Sequence, residues 1–336
     1  MGALQPGTTL GGRYVLRSLL AVGGMGEVWR GTDSELDREV AVKVLKDGAA
    51  KNDTFLRRFR NEAKNAAGLR HPNIAQVYDY GEVDGTPYLV MELVEGEPLS
   101  TILERERTLS EPRLVTIMRH TCNGLQAAHE AGVMHRDVKP GNLLVQHRDL
   151  VKVTDFGVSR GTGQTTLTAT GMVMGTAQYL APELALGKQA TAASDLYALG
   201  IIAYESMVGR RPFTAASAVD IAIAQVNDDV PPLPASVSPP MAKVITNLLE
   251  KNPRKRFKGA AELERYLAGF TFEPPSLDPL AQAPAASAPD AGVPHAASAP
   301  ATVVPTEQRA APARAMPPSI APKSYRPHPE RPGGRR

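Results

Sequence analysis

Between residues 12 and 94 the apolar positions mostly alternate with polar ones. A period of two predicts strands over 14–21, 26–32, 39–45, 74–82 and 87–93, with turns at Asp47-Gly48, Tyr80-Gly81 and Asp84-Gly85. One helical stretch interrupts them. It starts near Asn52-Asp53, carries Phe55, Phe59, Ala63 and Ala66 on one face, and stops at Gly68 ahead of His71-Pro72. From 97 to 270 the spacing becomes mainly helical, with short strands in the middle of the chain. The best apolar run, Ala198 to Tyr204, has the length of a core helix and falls well short of a membrane span. Near residue 272 the pattern gives way to Pro and Ala with few aromatics. The stretch Ala281–Arg336 has too little apolar surface to offset its ordering entropy, so disorder is expected there. The expected organisation is therefore an extension over 1–11, a folded domain over 12–271 and a tail over 272–336. Within the folded domain, a small β-rich lobe (12–94) precedes a larger helical lobe (95–271), an α+β bilobal architecture.

Composition narrows the picture only a little. A net charge of +3 over 336 residues gives no reason to expect a nucleic-acid partner. The single cysteine, Cys122, excludes an intramolecular disulfide framework and sits at helical spacing among apolar residues, where a small core side chain is expected. The seven histidines show no metal-ligand spacing. No signal pattern opens the chain and no apolar run could span a bilayer, so a cytoplasmic location is expected. The basic residues of the tail from Arg309 onward read first as a solvated run.

The candidate chemistry is concentrated in His135-Arg136-Asp137-Val138-Lys139-Pro140-Gly141-Asn142 and in Asp155-Phe156-Gly157. Together these supply an acid–base carboxylate, a cation two residues on, and oxygen ligands for a hard divalent ion, which is what phosphoryl transfer from a nucleotide requires. Upstream, the glycine-rich run Leu20-Ala21-Val22-Gly23-Gly24-Met25-Gly26-Glu27-Val28 lies between two predicted strands, where backbone amides can approach phosphates. Lys43 sits on the alternating strand Val40-Ala41-Val42-Lys43, and an inward ammonium there needs an anionic partner.

These motifs, in this order, resemble the protein-kinase family. Gly-Gly-Met-Gly-Glu-Val and Gly-Thr-Ala-Gln-Tyr-Leu-Ala-Pro-Glu are similar to its bacterial eukaryotic-type (Hanks-type) Ser/Thr branch. The resemblance implies a Ser/Thr protein kinase that uses ATP and Mg2+ and has protein substrates. Asp137 would accept the proton of the substrate hydroxyl and Lys139 would neutralise charge on the transferring phosphoryl. Asn142 and Asp155 would hold magnesium, and Thr176 would bridge Asp137 and Lys139. Lys43 would meet the phosphates and Glu62. Ala21, Val22, Gly23, Gly24 and Gly26 would cover the nucleotide, although Ala21 stands where the family has its first glycine. Val28, Ala41 and Leu144 would sandwich the adenine, Met91 would fill the back of the pocket, and the backbones of Glu92 and Val94 would bind the adenine edge. Glu183 would pair with Arg256, and Asp195 would anchor the catalytic loop.

The resemblance further implies activation by autophosphorylation at Thr168 or Thr170, opposite Arg136. A homodimer acting in trans and a tail that binds protein partners stay open at this stage. Two rivals also stay open: a non-catalytic scaffold and a small-molecule phosphotransferase. The intact set Lys43, Asp137, Asn142 and Asp155 argues against the first, and the Ala-Pro-Glu segment argues against the second.

Overall fold

A computed structural model describes residues 4–23, 26–45, 60, 63, 66–156 and 177–272. The expected helix from about residue 52 lies mostly outside these, though residues 60, 63 and 66–67 are helical, with Ala63 and Ala66 buried.

The small lobe is built on one antiparallel sheet of six strands: β1 (Thr9–Leu10), β2 (Tyr14–Val22), β3 (Gly26–Asp33), β4 (Arg38–Leu45), β5 (Val77–Val83) and β6 (Thr86–Glu92), in the order β1-β2-β3-β4-β6-β5. Alternation along β4 assigns its two faces. Val40, Val42 and Val44 join Leu16, Trp29 and Val90 in one apolar cluster. Ala41 and Leu45 join Leu89 and Met91 in another, with Val28 packed against it. Lys43 shares that second face, opposite Val28 on β3 and Leu89 on β6. The strand expected over 74–82 begins only at Val77. Residues 73–75 serve the larger lobe instead: the Ala75 amide donates to the Val153 carbonyl (2.9 Å), and the Val153 amide to that of Asn73 (2.9 Å). Alternating apolarity continues through Ile74, so the pattern alone could not reveal the change of partner.

The larger lobe holds β7 (Glu97–Pro98), α1 (Leu99–Glu106), α2 (Glu111–Glu130), β8 (Leu143–Val145), β9 (Val151–Val153), α3 (Pro182–Ala185), α4 (Ala192–Val208), α5 (Ala218–Asn227), α6 (Pro239–Leu248) and α7 (Ala260–Ala268). Strands β7, β8 and β9 form a second antiparallel sheet. On α2, Leu114, Ile117, Met118, Cys122 and Leu125 recur at helical spacing and are fully buried. Cys122 is thus the core residue expected, and burial pushes its thiol pKa up. Gly124 lets α2 approach residue 73 closely: a Cβ there would lie 2.7 Å from the Asn73 carbonyl oxygen. Helix α4 is apolar around nearly its whole circumference and runs through the centre of the lobe. Helices α5 and α6 begin on Ser217 and Ser238, whose hydroxyls accept from the Asp220 and Met241 amides. Among the described residues no helix is long and apolar enough to cross a membrane.

Candidate active site

The site lies where the second face of the small sheet meets the loops around β8 and β9. Lys43 is 8% exposed, and its Nζ stands 2.7 Å from Asp155 Oδ1, which brings together residues 112 positions apart. The apolar face around Lys43 makes an unpaired ammonium costly, and the carboxylate removes that cost. Burial alone would push the Asp155 carboxyl up; the charge and hydrogen bond of Lys43 outweigh it and hold the group below the usual carboxylate range. Asp155 also takes a left-handed backbone conformation, with φ +62°. Such a conformation is costly for a non-glycine residue and persists where surrounding contacts hold it.

The loop from His135 to Asn142 is fixed mainly from below. Asp195, near the start of α4, is 2% exposed and accepts from the backbone amides of His135 (Oδ2, 2.9 Å) and Arg136 (Oδ1, 2.9 Å). His129 Nε2 meets the same carboxylate at 2.7 Å. Burial would raise the Asp195 pKa, and these partners hold it down, so the carboxylate stays charged as a backbone anchor. Arg136 has φ +67°, a second left-handed residue, held by that anchor. His135 Nδ1 accepts from the Asp137 amide (3.2 Å). The ring proton therefore sits on Nε2, which donates to the Thr154 carbonyl (2.8 Å). His135 thus ties the loop to the segment carrying Asp155, and its ring lies 4.7 Å from that of Phe156.

On the open side of the loop, Lys139 Nζ lies 2.6 Å from Asp137 Oδ2. Asn142 is buried, and its Nδ2 donates to the Asp137 carbonyl (2.8 Å), which fixes the amide so that Oδ1 is left as the acceptor. The backbone of Asn142 also accepts from the Thr154 amide (2.9 Å). Five functional groups expected from the sequence, on Lys43, Asp137, Lys139, Asn142 and Asp155, are thereby carried by one connected framework.

The expected nucleotide-contacting residues divide between the lobes. Ala21 and Val22 end β2 exposed, with Ala21 opposite Val28, and the Gly23 amide donates to the Gly26 carbonyl (2.8 Å) to close the turn. Gly26 admits no side chain, because a Cβ would fall 2.1 Å from the Val44 carbonyl oxygen. Val28, Ala41 and Met91 lie on the same sheet face as Lys43, whereas Leu144 is half-buried on β8. The Glu92 carboxylate is held by Lys152 (2.9 Å), and the Val94 carbonyl accepts from the Gly96 amide (3.0 Å). Beside Met91, a small cleft is lined by residues including Ile74, Val77, Leu89, Asp155 and Phe156. Gly24, Glu62, Thr168, Thr170 and Thr176 lie outside the described residues, as does the tail from residue 273.

Further down the chain, Glu183 meets Arg256 in a bidentate pair (2.8 and 2.9 Å), buried on both sides, with Ser194 Oγ donating to the same carboxylate (2.8 Å). Burial works to raise the Glu183 pKa, and Arg256 holds it down. The Glu183–Arg256 pair is the one that the family resemblance implies, whereas nothing in the sequence marks His129 or Lys152. Neither carries a motif of its own; each matters through a partner distant in sequence.

A β-sheet roof bearing an inward lysine, above a loop of Asp, Lys and Asn on a helical base, defines the protein-kinase class. The chain belongs to the protein kinase domain family, whose pattern matches residues 14–265, and to its bacterial eukaryotic-type Ser/Thr branch. It is 48% identical over 257 residues to serine/threonine-protein kinase PknA of Mycobacterium tuberculosis, covering 75% of this chain and 60% of that protein. It is 43% identical over 263 residues to PknB of Mycolicibacterium smegmatis, covering 76% of this chain and 42% of the relative. The chain therefore spans less than two thirds of the length of these relatives. The crystal structure of the Mycobacterium tuberculosis PknI kinase domain superposes with a TM-score of 0.62 at 27% identity, covering 79% of this chain and 98% of that one.

Proposed function

We propose that the chain is a catalytically competent Ser/Thr protein kinase that transfers the γ-phosphoryl of ATP to protein hydroxyls. The observation that carries this reading is the Lys43–Asp155 contact, which joins the small sheet to the loop system of the larger lobe at 2.7 Å. A scaffold would have no need to hold a buried lysine and an aspartate with positive φ against each other.

In this reading Asp137 orients the acceptor hydroxyl and takes its proton, and Lys139, already 2.6 Å away, follows charge onto the transferring group. Lys43 would bind nucleotide phosphate oxygens, and Asp155 with Asn142 would hold the metal. Val28, Ala41, Met91 and Leu144 enclose the adenine, with backbone groups of Glu92 and Val94 at its edge. The run from Ala21 through Gly26, Gly24 included, covers the phosphates.

The donor set suits magnesium. Asn142 Oδ1 and the Asp155 carboxylate are hard oxygen ligands, and among the described residues no group of three or more His, Cys, Asp or Glu could hold an ion alone. Two protein oxygens, completed by phosphates and water, fit how magnesium is bound at such sites, where it neutralises charge on the phosphates. Glu62 as a second partner of Lys43, Thr176 as a bridge between Asp137 and Lys139, and autophosphorylation at Thr168 or Thr170 complete the proposal on sequence grounds. Kinase assay of Asp137→Asn against the parent, with a degenerate Ser/Thr peptide library as acceptor, tests it. The variant is expected to lose about 10²- to 10⁴-fold in kcat, and equal activity would refute the assignment.

A further inference from the structure

Gln225 is a fully buried primary amide on α5, at 0% exposure, and both ends of its side chain are committed. Nε2 donates to the main-chain carbonyl of Gln178 (3.0 Å), and Oε1 accepts from the Tyr197 hydroxyl on α4 (2.6 Å). A carbonyl can only accept, so the Gln178 contact fixes which end of the amide is nitrogen. The main chain of Gln225 is fixed as well, since Lys251 Nζ donates to its carbonyl (2.8 Å) while standing 4.1 Å from the Phe213 ring.

Gln178 belongs to the turn Ala177–Tyr179, which leads directly into Leu180-Ala181-Pro182-Glu183. The turn is held by its side chains as well. Arg211 Nη1 donates to Gln178 Oε1 (2.7 Å), and the Tyr179 hydroxyl donates to Glu205 (2.6 Å). Those two contacts lie nearer the surface and run between side chains. The Gln225 bond reaches the main chain itself. The network also closes on itself, because the Tyr197 ring lies under the Arg256 guanidinium (4.7 Å), and Arg256 grips Glu183. Residues 178 and 183 are thus pinned at two points of one buried polar path, and nothing about Gln225 in the sequence marks it for this.

We propose that Gln225 is a positioning residue for the protein acceptor: it sets the height and tilt of the 177–183 segment on which the acceptor peptide lies, and so acts on peptide binding without touching the nucleotide. This rests on the protein-kinase reading above and takes the segment that leads into Ala181-Pro182-Glu183 as the platform for the acceptor peptide. Replacing the amide leaves a buried carbonyl and a buried hydroxyl without partners, and the cheapest relief is movement of the turn.

The test compares parent, Gln225→Met and Tyr197→Phe in steady-state kinetics, using one acceptor peptide chosen from a degenerate Ser/Thr library. Thermal unfolding of each protein is measured alongside. Gln225→Met keeps the volume and loses both hydrogen bonds; its peptide KM is expected to rise about five- to tenfold with the KM for ATP unchanged. Tyr197→Phe removes one hydrogen bond and keeps the ring, and a smaller rise of about two- to threefold is expected, again for peptide alone. A merely structural role would lower the melting temperature and depress turnover without separating the two KM values, and that result overturns the proposal. If Gln225→Met does not fold, Tyr197→Phe decides, and an unchanged peptide KM there counts against it. A parent that phosphorylates no peptide at all would instead defeat the kinase reading itself.

Discussion

Lys43 and Asp155 show how a single residue's environment fixes its role. On an apolar sheet face the ammonium is tolerable only beside an anion, and the protein supplies one from 112 positions away. Lys43→Met would keep the length and the apolar contacts of the side chain while removing the charge. Phosphotransfer is expected to fall by about 10²- to 10³-fold, and the Asp155 carboxylate left without its cation is expected to lower folding stability as well, as read by peptide kinetics beside a thermal melt. Arg256 presents the opposite case, because its partner Glu183 is not part of the proposed chemistry. Both are almost wholly buried, so Arg256→Ala strands a carboxylate, and a loss of about 3–5 kcal/mol is expected in denaturant unfolding. At this scale much of the site was legible in the sequence, since Asp137, Lys139, Asn142 and Asp155 belong to short contiguous motifs with constrained chemistry. Gln225 and His129 were not legible. A glutamine or histidine on a helix acquires a role only from the residue that folding sets against it.

At the scale of elements, alternation identified the strands of the small sheet well, because one register buries valines and the other buries alanine, leucine and the lysine. It failed at residues 74–76, where the same apolar rhythm serves a bridge to β9. Two predictions belong here. The strand β3 ends at Asp33, whose buried carboxylate takes a bidentate pair from Arg13 (2.6 and 2.8 Å) and a longer contact from Arg38 (3.3 Å). The hydrogen bond from Arg13 is the main cause that lowers its pKa, to about 2. A carboxyl depressed in the folded state adds stability that is complete above its unfolded value, near 3.8, and is lost as pH falls toward 2. Thermal melts between pH 5 and 2 should therefore show a slope that flattens in Asp33→Asn. The second concerns the packing of α2 on residues 73–75. Gly124→Val would drive a side chain into the Asn73 carbonyl, and about 1–3 kcal/mol of destabilisation is expected from chemical denaturation. A value near zero would mean that the helix can retreat without cost.

Across the described residues, a β-rich lobe meets a helical lobe, and Lys43, Asp137, Lys139 and Asp155 stand where the two come together. The bilobal order was readable from the switch between a period of two and a period of 3.6. The long-range stitching was readable only in part: the family resemblance placed Asp195 under the catalytic loop, where it takes the His135 and Arg136 amides, whereas His135 on the Thr154 carbonyl and His129 on Asp195 are contacts that no local pattern encodes. The central claim is that these parts compose a working phosphotransferase, and the intact mass of the purified protein before and after incubation with Mg-ATP, beside Asp155→Ala, tests it most directly. Mass increments of one or more phosphates are expected on the parent and none on the variant, with the added groups mapping to threonines between 161 and 171. A parent that binds ATP yet gains no mass and phosphorylates no added peptide, or a variant that gains as much as the parent, would contradict it.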